Sequence, residues 1–204
     1  MEDKQYQRRE AYDARNAQPD KEKLSQIICN EFMDQSAYAE AHTVMWYVHC
    51  RSEVRTLNAL TSELSGNKRI VIPYCTTDTE GQKKLGLWLL KNISELMPGT
   101  WGILEPPKTR WGEQGREISP IDLDLIMVPG VAFDRQGGRI GNGAGYYDRL
   151  FDKVRSDTQL TAVCYESQLF EKVVMEEYDV YMDALITEKQ CYKPEANGLE
   201  FNKK

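Results

Sequence analysis

Short apolar runs alternate with helical patterns along this chain, and that alternation restricts the fold more than any other feature. Residues 43–49 (TVMWYVH), 70–73 (IVIP), 124–128 (DLIMV), 160–165 and 184–187 are rich in apolar and β-branched side chains. Such runs suit strands buried on both faces, as in a parallel sheet covered by helices. Between them, residues 20–34 place Leu24, Ile27, Ile28 and Phe32 on one face of a helix. Residues 53–64 repeat that pattern with Val54, Leu57, Leu60 and Leu64. The segment 4–15 is charged and lacks Pro and Gly, so it reads as a helix with Lys4 and Arg8 one turn apart on one face. Gln18-Pro19-Asp20 interrupts it. Pro73 is expected to stop the second strand. Residues 85–90 read as a strand, 146–154 and 168–177 as helices, and 98–116 as an ordered surface loop. The predicted class is α/β: a three-layer α/β/α sandwich with a largely parallel sheet. Residues 1–190 are expected to form a single domain, followed by a polar tail over 191–204.

A length of 204 residues suits one such domain without disulfides or structural metals. The formal net charge of -6 argues against a generic binder of nucleic acid backbone. No apolar run approaches the roughly 18 residues of a bilayer span, and the polar N-terminus has no signal-peptide core. A cytoplasmic protein without membrane partners is the expectation. The five cysteines form no C-x-x-C unit, so neither a disulfide framework nor a zinc site is indicated. With only His42 and His49 present, a Ser-His-Asp triad has little to draw on.

The sharpest local feature is Arg139-Ile140-Gly141-Asn142-Gly143-Ala144-Gly145-Tyr146-Tyr147-Asp148-Arg149. Alternating glycines let backbone N–H groups converge on an anion, and Arg139 adds a fork that matches phosphate oxygens. No Lys-Ser or Lys-Thr follows, and the third glycine comes one residue too soon for the dinucleotide fingerprint. Two readings stand on spacing alone: a phosphate cradle and a merely tight turn. Asp148 reads either as a magnesium ligand near phosphate or as a first-turn carboxylate balancing helix N–H groups. Lys4 and Arg8 read as polyphosphate contacts or as ordinary charges of an exposed helix. Glu53 follows a buried strand, at the rim where α/β proteins bind ligands, or simply opens a helix. Trp101, Glu105 and Trp111 suit a flat heteroaromatic ligand or the anchoring of their own loop.

The run Asp124-Leu-Ile-Met-Val-Pro-Gly-Val-Ala-Phe-Asp134, followed by Gly138 and the block 139–149, resembles the signature of the 5-formyltetrahydrofolate cyclo-ligase family, also called methenyltetrahydrofolate synthetases. The resemblance extends over residues 4–188, through Lys4 with Arg8, Glu53-Val54-Arg55-Thr56, Trp101 to Pro106, Tyr178-Asp179-Val180 and Asp183 to Glu188. It implies an enzyme that converts 5-formyltetrahydrofolate, with or without a polyglutamate tail, to 5,10-methenyltetrahydrofolate using ATP and Mg2+, and that acts as a monomer. By resemblance, Lys4, Arg8, Arg139 and the stretch Gly141, Asn142, Gly143, Ala144, Gly145, Tyr146 and Tyr147 serve ATP. Arg139 and Tyr147 serve the chemistry. Glu53, Trp101, Glu105 and Tyr147 serve the folate, and Asp148 the metal. Ala144 stands where some relatives carry lysine, and Tyr178 where histidine is frequent. The competing readings are a small-molecule kinase with another acceptor and a folate- or nucleotide-binding protein without turnover.

Overall fold

The computed structural model describes residues 3–99 and 102–194. The chain opens with helices α1 (Lys4–Ala17), α2 (Lys21–Met33) and α3 (Ser36–Glu40). Strand β1 (Thr43–Met45), helix α4 (Leu57–Glu63) and strands β2 (Arg69–Thr77) and β3 (Lys83–Leu89) follow. A small hairpin of β4 (Met97–Pro98) and β5 (Leu104–Glu105) leads to β6 (Leu125–Val128), β7 (Ala132–Asp134) and β8 (Arg139–Ile140). The rest is α5 (Tyr146–Phe151), β9 (Gln159–Val163), β10 (Leu169–Phe170), β11 (Ala184–Ile186) and β12 (Cys191–Tyr192). Seven strands form one sheet in the order β12-β11-β9-β6-β1-β2-β3. Its five inner strands run parallel and only the edges β3 and β12 pair antiparallel. No helix among the described residues is long and apolar enough to cross a membrane.

The period of two along each strand divides the core into two faces. Val44, Ile70, Ile72, Leu125, Met127, Val163 and Ile186 pack with Ile28, Phe32, Tyr38 and Leu60 of α2–α4. Met45, Val71, Ile126, Val128, Leu160, Ala162 and Leu185 pack with Leu150 and Phe151 of α5. This is the helix-flanked, largely parallel sheet that the apolar runs predict. Helix α1 belongs to neither layer. Its Ala11 packs with Val131, Ala132 and Ile140 around the small sheet β10-β7-β8. That position carries α1 to the glycine-rich segment.

Several boundaries differ from the expectations, each for a tertiary reason. The strand expected over 43–49 is regular only for Thr43–Met45, after which the buried chain turns out of the sheet. The second strand does not stop at Pro73 but continues to Thr77. The carbonyl of Ile70 accepts from Leu90, and that of Val71 accepts from Trp46. Pro73 is therefore in phase with Val71 and faces the side where pairing with β1 has ended, so its missing N–H costs no ladder bond. The helix expected from residue 53 begins at Leu57, because Arg55 N–H donates to Ser25 Oγ and Thr56 N–H to His49 Nδ1. The helix expected over 168–177 is absent. Leu169–Phe170 pairs with Phe133–Asp134 instead. Beyond it, Val173 N–H donates to Asp134 and Val174 N–H to Gln7, bonds that replace helical ones. Cys191–Tyr192, taken as the start of the tail, adds the antiparallel edge strand.

Gly86 on β3 lies opposite Tyr74 on β2, and a Cβ there would fall 2.1 Å from the Tyr74 ring. The Tyr74 ring also packs on Trp111 at 4.6 Å and its hydroxyl donates to Glu117. Gly86→Ala should therefore displace the ring and lower stability by about 1–3 kcal/mol, the usual cost of overpacking. A urea midpoint unchanged from wild type would contradict this account of the β2–β3 edge.

Candidate active site

The ends of β1, β2 and β6 open on the same side of the sheet, the rim where parallel sheets bind ligands. After β1 the chain folds back on itself. Tyr47 Oη donates to the Val54 carbonyl at 3.0 Å and Thr56 Oγ1 to the Tyr47 carbonyl at 2.5 Å. That loop presents Glu53, whose carboxylate accepts Cys50 N–H at 2.8 Å. Burial pushes the Glu53 carboxyl above the ordinary glutamate value, a shift only partly offset by the Cys50 N–H, Arg15 and Arg51. Tyr147 stands close enough to Glu53 to feel its charge. Its own hydroxyl is pushed well up by burial first and by Glu53 second, against the opposing pull of Arg139.

Arg139 leaves β8 with its side chain 5% exposed. One guanidinium nitrogen donates to Asp148 Oδ1 at 2.6 Å, and the group lies 5.8 Å from the Tyr147 ring centre and 5.4 Å from that of Phe151. Its Nε has no hydrogen-bond partner although it is buried. A buried guanidinium with an idle donor is costly unless an acceptor arrives. The idle Nε of Arg139 is thus a donor that an incoming acceptor would satisfy. Asp148, with a side chain 38% exposed, holds Arg139 in place.

The glycine segment follows directly. Gly143 and Gly145 have φ of 86° and 66°, a region that disfavours side-chain-bearing residues. Arg8 Nε of α1 donates to the Gly141 carbonyl at 2.8 Å, and the Tyr12 hydroxyl donates to Asn142. Helix α1 thus reaches over the loop through Arg8 and Tyr12. Lys4 lies elsewhere, on Glu176 at 2.7 Å and Asp179 at 2.6 Å. Burial pulls its pKa down, but these two acids hold it above the usual lysine value. Glu105 is 5% exposed on β5 and lies close enough to Cys75 of β2 to help raise its thiol pKa, after burial. Trp101 lies outside the described residues. Trp111 serves its loop, donating to the Pro106 carbonyl at 3.0 Å and stacking on Tyr74.

The structure thus brings together Arg139, Asp148, Tyr147, Glu53, Arg8 and the glycine loop, and leaves Lys4 bound to acids at the far end of α1. The sequence reading missed Arg15, whose Nη1 sits 4.0 Å from Glu53 and donates to the Gly130 carbonyl at 3.1 Å. It stands seven residues after Arg8, on the same face of α1, so helical spacing carried the signal.

Comparison with known proteins bears on this constellation. The profile of the 5-formyltetrahydrofolate cyclo-ligase family matches residues 1–188. The chain belongs to this family. It is 31% identical over 148 residues to a 5-formyltetrahydrofolate cyclo-ligase of Mycolicibacterium smegmatis, covering 72% of this chain and 74% of that one. It is 28% identical over 177 residues to the Escherichia coli K12 cyclo-ligase, covering 84% and 92%. The solution structure of Aquifex aeolicus 5,10-methenyltetrahydrofolate synthetase superposes with a TM-score of 0.78 at 29% identity, covering 94% of this chain and 93% of that one. The fold is shared with a Mycoplasma pneumoniae synthetase at a TM-score of 0.71 and 20% identity. Membership supports a reaction of the general cyclo-ligase class, with nucleotide and folate as the reactant classes.

Proposed function

We propose that this protein cyclises 5-formyltetrahydrofolate to 5,10-methenyltetrahydrofolate at the expense of ATP, releasing ADP and phosphate. The observation that carries the reading is Arg139, a buried guanidinium that opens the glycine segment, is tied to Asp148, lies beside the Tyr147 ring and keeps an unpartnered Nε. A formamide oxygen is a poor leaving group. Attack of that oxygen on the γ-phosphorus, with departure of ADP, converts it into a phosphate ester. N10 then closes on the formyl carbon, loses its proton, and inorganic phosphate leaves as the C–O bond breaks. Such a sequence demands positioning and charge stabilisation and needs no protein nucleophile.

Arg139 and the loop N–H groups of residues 141–145 are suited to hold the phosphates, and Arg139 to stabilise charge that builds on the transferred group. Lys4 joins them only by leaving Glu176 and Asp179. Glu53 is suited to accept hydrogen bonds from the pterin's N–H groups, with Tyr147 between the two halves of the site and Glu105 at its edge. No cluster of three His, Cys, Asp or Glu side chains suited to a metal occurs among the described residues. Magnesium nevertheless fits, because it characteristically takes one or two carboxylates together with substrate phosphates and water. Asp148, the partly exposed carboxylate beside Arg139, would be its protein ligand, and bound magnesium would neutralise developing phosphate charge.

The deciding experiment follows methenyl-folate absorbance and ADP together as 5-formyltetrahydrofolate, ATP and magnesium are supplied. Equal rates of both products support the reading. Nucleotide binding without ADP release would identify a binding protein instead. A smaller test addresses the loop. A Cβ at Gly143 would meet only the Arg8 guanidinium, with Nη2 at 3.7 Å and Cζ at 3.8 Å, so the apo fold has room for it. The φ of 86° strains a branched residue by about 1–3 kcal/mol. Gly143→Val should raise the ATP dissociation constant about tenfold. Native affinity by calorimetry would remove Gly143 from the phosphate site.

A further inference from the structure

We propose that Arg149 is a positioning residue which, with Arg8, sets the peptide planes of the glycine loop from outside the cradle. The inference rests on the reading of that loop as the ATP phosphate site. Arg149 is the last residue of the signature block, and neither the charge pattern nor the buried cluster around Arg139 uses it. Its Nη2 donates to the Ala144 carbonyl at 2.7 Å, and its Nε donates to the Lys83 carbonyl at the start of β3 at 2.5 Å. One guanidinium thus ties the loop to the edge of the main sheet. On the other side, Arg8 Nε ties the Gly141 carbonyl to α1.

In a trans peptide the carbonyl of one residue and the N–H of the next point in opposite directions. Drawing the Gly141 and Ala144 carbonyls toward arginines therefore turns the N–H groups of Asn142 and Gly145 away from those arginines. Neither N–H has an acceptor among the described residues. The two arginines thus spend donors on carbonyls so that loop donors stay free for an anion. Gly145 fits the same arrangement, since a Cβ there would fall 2.7 Å from Arg149 Nη1. A flexible glycine loop loses much conformational freedom on binding, and a loop held beforehand loses less.

The test titrates the full-length protein with a non-hydrolysable ATP analogue and magnesium at two ionic strengths, for wild type, Arg149→Ala and Arg149→Lys. Arg149→Ala should weaken binding roughly tenfold through lost preorganisation. The salt dependence should stay as in wild type, and the KM for 5-formyltetrahydrofolate should change by less than about twofold. Arg149→Lys should not restore affinity, because one ammonium on a flexible stem does not reproduce a planar fork across two carbonyls. If lysine restores affinity and the alanine variant shows a flatter salt dependence, Arg149 contacts phosphate directly and the inference falls. Parallel loss of nucleotide and folate affinity with a lowered denaturation midpoint would make it a general scaffold residue, which also overturns the inference. Unchanged nucleotide binding overturns it alone. Failure of wild type to bind the analogue strikes instead at the phosphate-site reading, and the inference goes with it.

Discussion

Arg139→Ala should lower turnover by roughly 100-fold or more, with a smaller change in ATP affinity, because it removes charge stabilisation that grows toward the transition state. The structure gives this expectation a physical basis. The side chain is 5% exposed, so its interaction with developing negative charge is poorly screened by water. It is held by Asp148 on one side and by the Tyr147 and Phe151 rings on the other, so it needs little reorganisation when charge appears. Its unpartnered Nε is the donor with most to gain from an incoming oxygen. Arg139→Lys should recover only part of the rate, since a point charge does not reproduce the fork. Single-turnover kinetics separate the chemical step from binding. The thermal midpoint checks that Asp148, left without its partner, does not unfold the loop. Wild-type kcat with an intact fold would defeat the assignment.

Glu53→Gln should cut folate efficiency by about 10- to 150-fold, the worth of a charged hydrogen bond of roughly 1.5–3 kcal/mol. ATP binding should change less than about threefold, because the glycine loop is held by α1 and α5 and not by the loop that carries Glu53. The amide keeps the size of the side chain but offers an NH2 where pterin donors need an oxygen. If ATP binding collapses while folate binding persists, Glu53 belongs to the nucleotide half of the cleft.

The buried environment of Glu53 adds a pH signature to the same experiment. Its folded pKa is raised above the unfolded value, so the folded state binds its proton more tightly. Its contribution to stability is fully present below the unfolded pKa and is lost as pH rises through the folded one. Folate binding, which needs the carboxylate ionised, should rise over that same window above the usual glutamate range. In Glu53→Gln both dependences on this group should vanish. A wild-type folate-affinity profile that is flat across that window would show that Glu53 ionisation is not used.

Much of the scaffold was legible locally. The apolar runs marked β1, β2, β6, β9 and β11, and the spacing of Leu24, Ile28 and Phe32 marked α2, because burial imposes a period that neighbouring residues share. The two helix departures share one cause. Residues 168–177 and the start of α4 lose helical bonds to the side chains of Asp134, Gln7, Ser25 and His49, which the fold or a folded-back loop brings to them. In the site, the glycine alternation and Arg139 were visible, whereas Arg149, though part of the same block, had no role assigned to it. Only its two carbonyl partners, Ala144 and Lys83, reveal what it holds.

The sequence by itself determined the α/β class, the glycine loop with its basic neighbours, and the signature that led to the family. Each is a matter of local period, of backbone dihedrals that glycine alone adopts easily, or of residue identity. The tertiary structure decided which of those residues share a site. Strand order brings the end of β1, with Glu53, to the end of β6 and the loop beyond it, and packing against β7 and β10 lays α1 across the glycine loop. Burial then sets the chemistry. It raises the pKa of Glu53 and of Tyr147, and it leaves Arg139 with an idle donor, whereas Lys4 on the same helix as Arg8 is drawn to Glu176 and Asp179. Charge and desolvation depend on neighbours in space, and spacing along a chain carries little information about those neighbours beyond one helix or one strand.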